Sequence, residues 1–169
     1  PYEFDIGWGY IRLLEKAGLA RVKKTVPRLQ LGAIQPVANE KTLEALIAHR
    51  YEVMAGYARD LRRACKAEIA ALKARQGDVS ELESARRWLH RDADKVPAGA
   101  VPQLAQARAA HPVLDKMVTM REELRQLWLN TSRSREQLAV DLAAWCHRAE
   151  ESGIAALREF SIKLRAVRA

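Results

Sequence analysis

The sequence predicts an all-α fold: a helical bundle built on one long helix over about 39–76, preceded by a short N-terminal amphipathic arm. Three observations carry that expectation. Leu43, Ile47, Tyr51, Met54, Ala58, Leu61, Cys65, Ile69 and Leu72 recur at steps of three and four, tracing one helical face opposite a charged one. Hydrophobic residues make up 49% of the chain, and alanine and leucine supply most of them, alongside Arg, Glu and Gln, a mixture that favours helix over strand. Prolines, glycines and cap-forming residues cut the remainder into pieces of helical length.

Taken in order, residues 1–38 form an arm and linker. Tyr2, Phe4, Trp8 and Tyr10 crowd around Gly7 and Gly9. Tyr10, Ile11, Leu13, Leu14, Ala17 and Leu19 then make a short amphipathic helix, and Arg21, Lys23, Lys24 and Arg28 follow it. Gln30 to Ala38 holds Gly32 and Pro36 and reads as a linker. Residues 39–169 are the bundle. Asn39 is placed to cap the long helix and Gly77 to end it in the left-handed conformation. At 1.5 Å per residue, roughly 37 residues would span about 55 Å.

Ser80-Glu81-Leu82-Glu83 matches a capping box, in which hydroxyl and carboxylate satisfy each other's free backbone donors. Leu82, Ala85, Trp88 and Leu89 are the expected buried face of the helix it opens. A loop over Asp92 to Pro102 precedes a short helix from Val101 to Ala110. His111-Pro112 breaks that helix, because the residue before proline avoids the helical region, and Pro112 suits the next first turn. Leu114, Met117, Val118, Met120, Leu124, Leu127 and Trp128 stripe the stretch from Pro112 to about Leu129. Asn130 to Arg133 turns, and Ser134-Arg135-Glu136-Gln137 is a second capping box. Leu138, Leu142, Trp145 and Ala149 form the next face, Ser152-Gly153 ends it, and a last helix carries Leu157, Phe160, Ile162, Leu164 and Val167.

A chain of 169 residues can bury a real core. Its net charge of +8 is spread along the sequence without a dense block. A mildly basic surface suits an anionic membrane face or nucleic acid, and equally suits solubility alone. Nucleic acid is the less favoured partner on this evidence. Cys65 and Cys146 each lie on an apolar face and read as buried, reduced thiols. No apolar run approaches the ~20 residues of a spanning helix. The chain starts at Pro1 instead of Met, so it is expected to be part of something longer.

His49, His90, His111 and His147 are solitary, none with a second histidine three to five residues away. Ligands on one helix converge on a metal from spacings such as i, i+4. No metal, cofactor-binding or catalytic residue is therefore assigned. Ser, Cys, His and acidic residues are nowhere grouped for nucleophilic or acid–base work. Asp92, Asp94, Asp115 and Asp141 read as turn, cap or solvated-face residues.

Two family resemblances add to this. Pro1-Tyr2-Glu3-Phe4-Asp5-Ile6-Gly7-Trp8, continuing through Leu13-Leu14-Glu15-Lys16-Ala17-Gly18-Leu19-Ala20 to Val22-Lys23-Lys24, resembles the segment after the last histidine box of bacterial membrane fatty-acid desaturases. It covers about the first 30 residues. It implies a di-iron enzyme as the parent, with the metal held upstream and none of it in this chain.

Residues 81–169 resemble the helical insertion of a branch of DDE-type insertion-sequence transposases. The resemblance runs through Arg87-Trp88-Leu89, His111-Pro112-Val113-Leu114, Glu123-Leu124-Arg125-Gln126-Leu127, Leu142-Ala143-Ala144-Trp145, Ser152-Gly153-Ile154 and Leu157-Arg158-Glu159-Phe160. It implies that two catalytic aspartates lie on strands before the insertion and the third carboxylate after it.

Combined, the two resemblances lead to one expectation: a non-catalytic cytoplasmic C-terminal domain of a desaturase, acting in docking, regulation or self-association in lipid metabolism. Its partners would be the upstream membrane catalytic domain and, through Tyr10, Arg12, Lys16, Arg21, Lys23, Lys24 and Arg28, the anionic cytoplasmic face of the bacterial inner membrane. A homodimer is weighed as well, because a 55 Å helix calls for more burial than a short chain offers. The alternative is a transposase-derived helical module that binds nucleic acid or protein, with Arg158, Lys163, Arg165 and Arg168 as its basic residues.

Overall fold

A computed structural model of the chain describes residues 40–130 and 132–167. Among them are seven α-helices, two short 3-10 turns and no strand, so the fold is all-α. The helices are α1 (Glu40–Ala48), α2 (Arg50–Ala74), α3 (Ser80–Ala85), α4 (Val101–Ala110), α5 (Pro112–Leu129), α6 (Arg135–Glu151) and α7 (Ala155–Arg165). Two compact units result: Met54–Glu122, and Pro1–Val53 with Glu123–Ala169. The arm, including Tyr10, Arg12, Lys16, Arg21, Lys23, Lys24 and Arg28, lies outside the described residues, as does Asn39.

The long helix expected over 39–76 is two helices that meet at His49. The Ile47 carbonyl accepts a hydrogen bond from the Arg50 guanidinium at 2.9 Å, and a side chain set into the backbone ladder in this way is a recognised cause of helix breaks. The same guanidinium lies 4.8 Å from the centre of the Tyr51 ring. The apolar register changes across the break. Leu43 and Leu46 are buried in α1, while Tyr51, expected in the core, is 74% exposed. α2 then buries Tyr57, Leu61, Cys65 and Ile69, a strict four-residue repeat. At 25 residues, α2 spans about 38 Å, well short of the 55 Å that motivated the dimer.

In the unit of residues 54–122, the Tyr57 hydroxyl donates to the Met117 carbonyl at 2.5 Å, tying α2 to α5. Near its C-terminus, α2 ends one residue earlier than Gly77 suggests. Gln76 takes the left-handed conformation (φ 58°). Its N–H donates to Lys73 and that of Gly77 to Leu72, the paired bonds of a Schellman motif. At Gly77 a Cβ would come within 3.2 Å of the end of the Leu72 side chain, which would have to shift by a few tenths of an ångström.

The first capping box does not form. The α3 N-terminus is held instead by Asp78, whose Oδ1 accepts from both the Ser80 N–H at 2.9 Å and its hydroxyl at 2.7 Å. These bonds lower the Asp78 pKa. Glu83, freed from the box, pairs with Lys73 at 3.4 Å. α3 is short, yet Leu82, Ala85 and Leu89 are all buried against the core as expected, with Trp88 only half-buried. The following loop contains 3-10 turns at Ala93–Lys95 and Ala98–Ala100.

In the other unit, Ser134 caps α6 by accepting from the Gln137 N–H at 3.1 Å. The Gln137 amide reaches forward to Asp141 rather than back, so only half of that box forms. Leu138, Leu142, Trp145 and Ala149 are buried as expected. Gly153, at φ 77°, turns the chain into α7, whose Phe160 ring meets Trp145 edge to face at 5.8 Å. Each such large side chain contributes about 1.5–3 kcal/mol on burial.

Ile162, expected in the core, is 52% exposed, and Ser161 is buried in its place. The helical period from Leu157 selects 160, 161 and 164, and the polar intruder is satisfied. The Ser161 hydroxyl lies 2.5 Å from a Glu150 carboxylate oxygen and 3.3 Å from the Cys146 carbonyl. Arg165 closes the cluster with its Nε on the same carboxylate at 2.6 Å.

Candidate functional site

A groove opens in the unit of residues 54–122, with a volume of about 690 Å³. One wall comes from α2, where Arg62 and Lys66 stand one turn apart over the buried Cys65. The other comes from the end of α3 and the turns after it: Glu83, Ser84, Arg86, Arg87, Trp88 and His90. The local sequence explains the arrangement. Leu82, Ala85 and Leu89 are taken into the core, and this leaves Arg86 and Arg87 exposed between the buried positions.

The electrostatics of the groove are one-sided. Among the described residues, Arg62, Lys66, Arg86 and Arg87 form no ion pair with a carboxylate, and neither do Arg59, Arg75, Arg91 and Lys116 of the same unit, whereas Arg63, Lys73, Lys95, Arg108 and Arg121 each do. The acidic residue on the lining, Glu83, is the one engaged by Lys73. Burial, and then the nearby Arg62 and Arg91 charges, push the His90 pKa down, which favours the neutral ring. Beneath, burial raises the Cys65 thiol, with the Arg86 charge pulling weakly the other way. Arg87 lies 6.0 Å from the centre of the Trp88 ring.

The basic residues expected near the C-terminus do not assemble. Arg158 and Lys163 are exposed on α7, Arg165 is committed to Glu150, and Arg168 lies outside the described residues. A second depression beside Arg158, about 440 Å³, is lined by the acids Glu150 and Glu159 as well as Ile154 and Ile162. Both cysteines are free and buried, as expected.

The histidines remain apart. His49 sits near Glu52, His111 accompanies Glu68 at 3.3 Å and His147 faces Glu151 at 3.3 Å. Among the described residues, no three His, Cys, Asp or Glu side chains come together in a way that could hold a metal ion. The aspartates are individually occupied instead. Asp92 takes Arg121 at 2.8 Å, Asp115 takes Arg108 at 2.6 Å, and Asp141 pairs with Arg133.

The groove was only partly legible in advance. Arg62 and the Arg86-Arg87 pair stood in the sequence, but the end of α3 that places them on one groove did not.

Residues 35–169 match the family model for a DDE transposase of the ISL3 type, described simply as Transposase. No curated protein matches the chain, and no solved structure does. This match overturns the desaturase reading, and nothing in the comparisons supports the lipid-metabolism and membrane roles drawn from it. That reading rested on about 30 residues of aromatic, apolar and basic pattern without a single metal ligand, whereas the transposase match runs through every described helix. Among the described residues, no helix is long and apolar enough to cross a membrane. The chain belongs to the ISL3 family of DDE transposases.

Proposed function

We propose that this chain works within a DDE transposase as a helical binding module that supplies none of the catalytic carboxylates. The observation that carries this reading is the individual commitment of Asp92, Asp115 and Asp141 to arginines, in a fold whose described residues include no strand. An aspartate whose charge is already matched by a guanidinium gains little from a divalent cation and pays the desolvation of both. The work left to such a module is to hold a partner macromolecule in place for chemistry done by other parts of the protein.

The test is a strand-cleavage assay with Mg²⁺ or Mn²⁺ on the chain itself, alongside transposition by the full transposase bearing Asp92→Asn, Asp115→Asn or Asp141→Asn. The chain is expected to cut no duplex, and each full-length variant to retain strand transfer. Cleavage by the chain that any of these substitutions abolishes would refute the reading.

A further inference from the structure

We propose that the solvent face of α7 is a self-association surface, on which a second copy of this chain docks its own α7 in parallel across a twofold axis. The proposal stands on α7 alone, goes beyond the binding-module reading and does not depend on it.

α7 buries Leu157, Phe160, Ser161 and Leu164. Opposite them, at 3.6 residues per turn, Ala155, Ile162 and the C-cap Ala166 fall within about 20° of one line. All three are exposed, and Ile162, at 52%, is a large apolar side chain left in solvent. Arg158 and Glu159 flank that line, one on each side, and both are exposed too. The face is also hollowed: Ile154, Ala155, Arg158, Glu159 and Ile162 help to line the depression of about 440 Å³.

Charge selects a second copy as the occupant. Among the described residues, neither Arg158 nor Glu159 forms an ion pair, although Lys163 stands one turn beyond the glutamate. Arg165, on the same helix, is held by Glu150. Neighbours in sequence do not face each other on a helix, so Arg158 and Glu159 cannot satisfy each other within one chain. Two α7 helices side by side and parallel set the Arg158 flank of one against the Glu159 flank of the other. The twofold repeats this contact, giving two reciprocal ion pairs with the two Ile162 side chains between them. An antiparallel pair would oppose arginine to arginine and glutamate to glutamate, so the charges fix the direction.

The surface is confined to an 11-residue helix. That places the contact among interfaces below about 1,200 Å², which are weak and reversible. Association is therefore expected at high chain concentration, or where two copies are already held near each other.

The experiment is sedimentation equilibrium of the whole chain from about 1 μM to 1 mM. It compares the unaltered chain with Ile162→Arg, with Glu159→Arg, and with the exchanged pair Arg158→Glu, Glu159→Arg. These positions are exposed, and circular dichroism verifies that the helices persist. The unaltered chain is expected to pass from monomer to dimer, and Ile162→Arg to remain monomeric. Glu159→Arg, which sets arginine against arginine, is expected to weaken the dimer about tenfold, and the exchanged pair to restore it to within about threefold. Ile162→Cys is expected to give a disulfide-linked dimer on mild oxidation, whereas Lys163→Cys, further round the helix, is not. The native Cys65 and Cys146 are buried and stay out of that reaction.

A chain that stays monomeric across this range would overturn the proposal and leave the face to another occupant. So would a dimer that survives Ile162→Arg, one that the exchanged pair fails to restore, or equal cross-linking at the two cysteine positions. Each of these results leaves the strand-transfer test of the binding-module reading untouched.

Discussion

Cys146 offers a sharp physical test of the α6–α7 pair. Its side chain is fully buried, and burial raises the thiol pKa from 9.0 to about 11, with Ser161 and Arg165 pulling it down and Glu150 pushing it up. A folded-state pKa raised above the unfolded value gives stability that is complete below about pH 9 and is lost as the pH rises toward 11. In that window the unfolded thiol has ionised and the folded one has not. Two units correspond to about 2.7 kcal/mol. Other groups titrate in the same range, so the quantity to measure is a difference. Urea denaturation under reducing conditions is followed at several values between pH 8 and 11, for the unaltered chain and for Cys146→Ala. The variant is expected to start less stable, by about 1–2 kcal/mol for the lost packing, and the gap is expected to shrink or reverse as the pH rises. Parallel curves for the two proteins across the window would mean that the thiol is not held neutral by its surroundings, and the argument would fail.

Further outcomes follow from single contacts. Tyr57→Phe should cost about 1 kcal/mol in chemical denaturation, because the Met117 carbonyl keeps its place in the α5 ladder and only the hydroxyl bond is lost. Gln76→Gly should stabilise by a few tenths to about 1 kcal/mol, as glycine enters the left-handed region without a Cβ penalty but loses more freedom on folding. Asp78→Ala should lower the melting temperature while Glu83→Ala leaves it nearly unchanged; the reverse ranking would restore the capping box that the structure replaces. Glu150→Gln should destabilise the α6–α7 pair by about 1–3 kcal/mol, since Arg165 loses its counter-charge and one of the two carboxylate oxygens that it and Ser161 engage in a partly buried setting.

The sequence made some elements legible because their physics is local. Pro112 and His111 place a helix boundary through steric exclusion alone, and α4 and α5 begin and end where those residues require. The Leu138–Leu142–Trp145–Ala149 face of α6 is equally plain, since one unbroken period serves it. Other features depend on competition between partners. Ser80 and Glu83 have the right spacing for a capping box, but Asp78 reaches the same donors from two residues upstream, and Lys73 takes the glutamate. The continuous stripe from Leu43 to Leu72 hides a change of register, because Ile47–Tyr51 and Tyr57–Leu61 obey the same spacing while facing different directions. Basic pairs are visible in a sequence, but whether a carboxylate answers them is decided by folding. For that reason the groove emerged only with the coordinates.

The unit formed by Met54–Glu122 is continuous in sequence, whereas its neighbour is assembled from stretches on either side of it. On a ribosome, the continuous unit has all of its own residues available while the C-terminal helices of the other unit are still being synthesised. Its groove can therefore be shaped early. The neighbour must bridge a long intervening span before its two parts meet, a chain-closure cost that grows only slowly with length. Refolding is expected to show this ordering, with Tyr57 and Cys65 sheltered from solvent before Trp145.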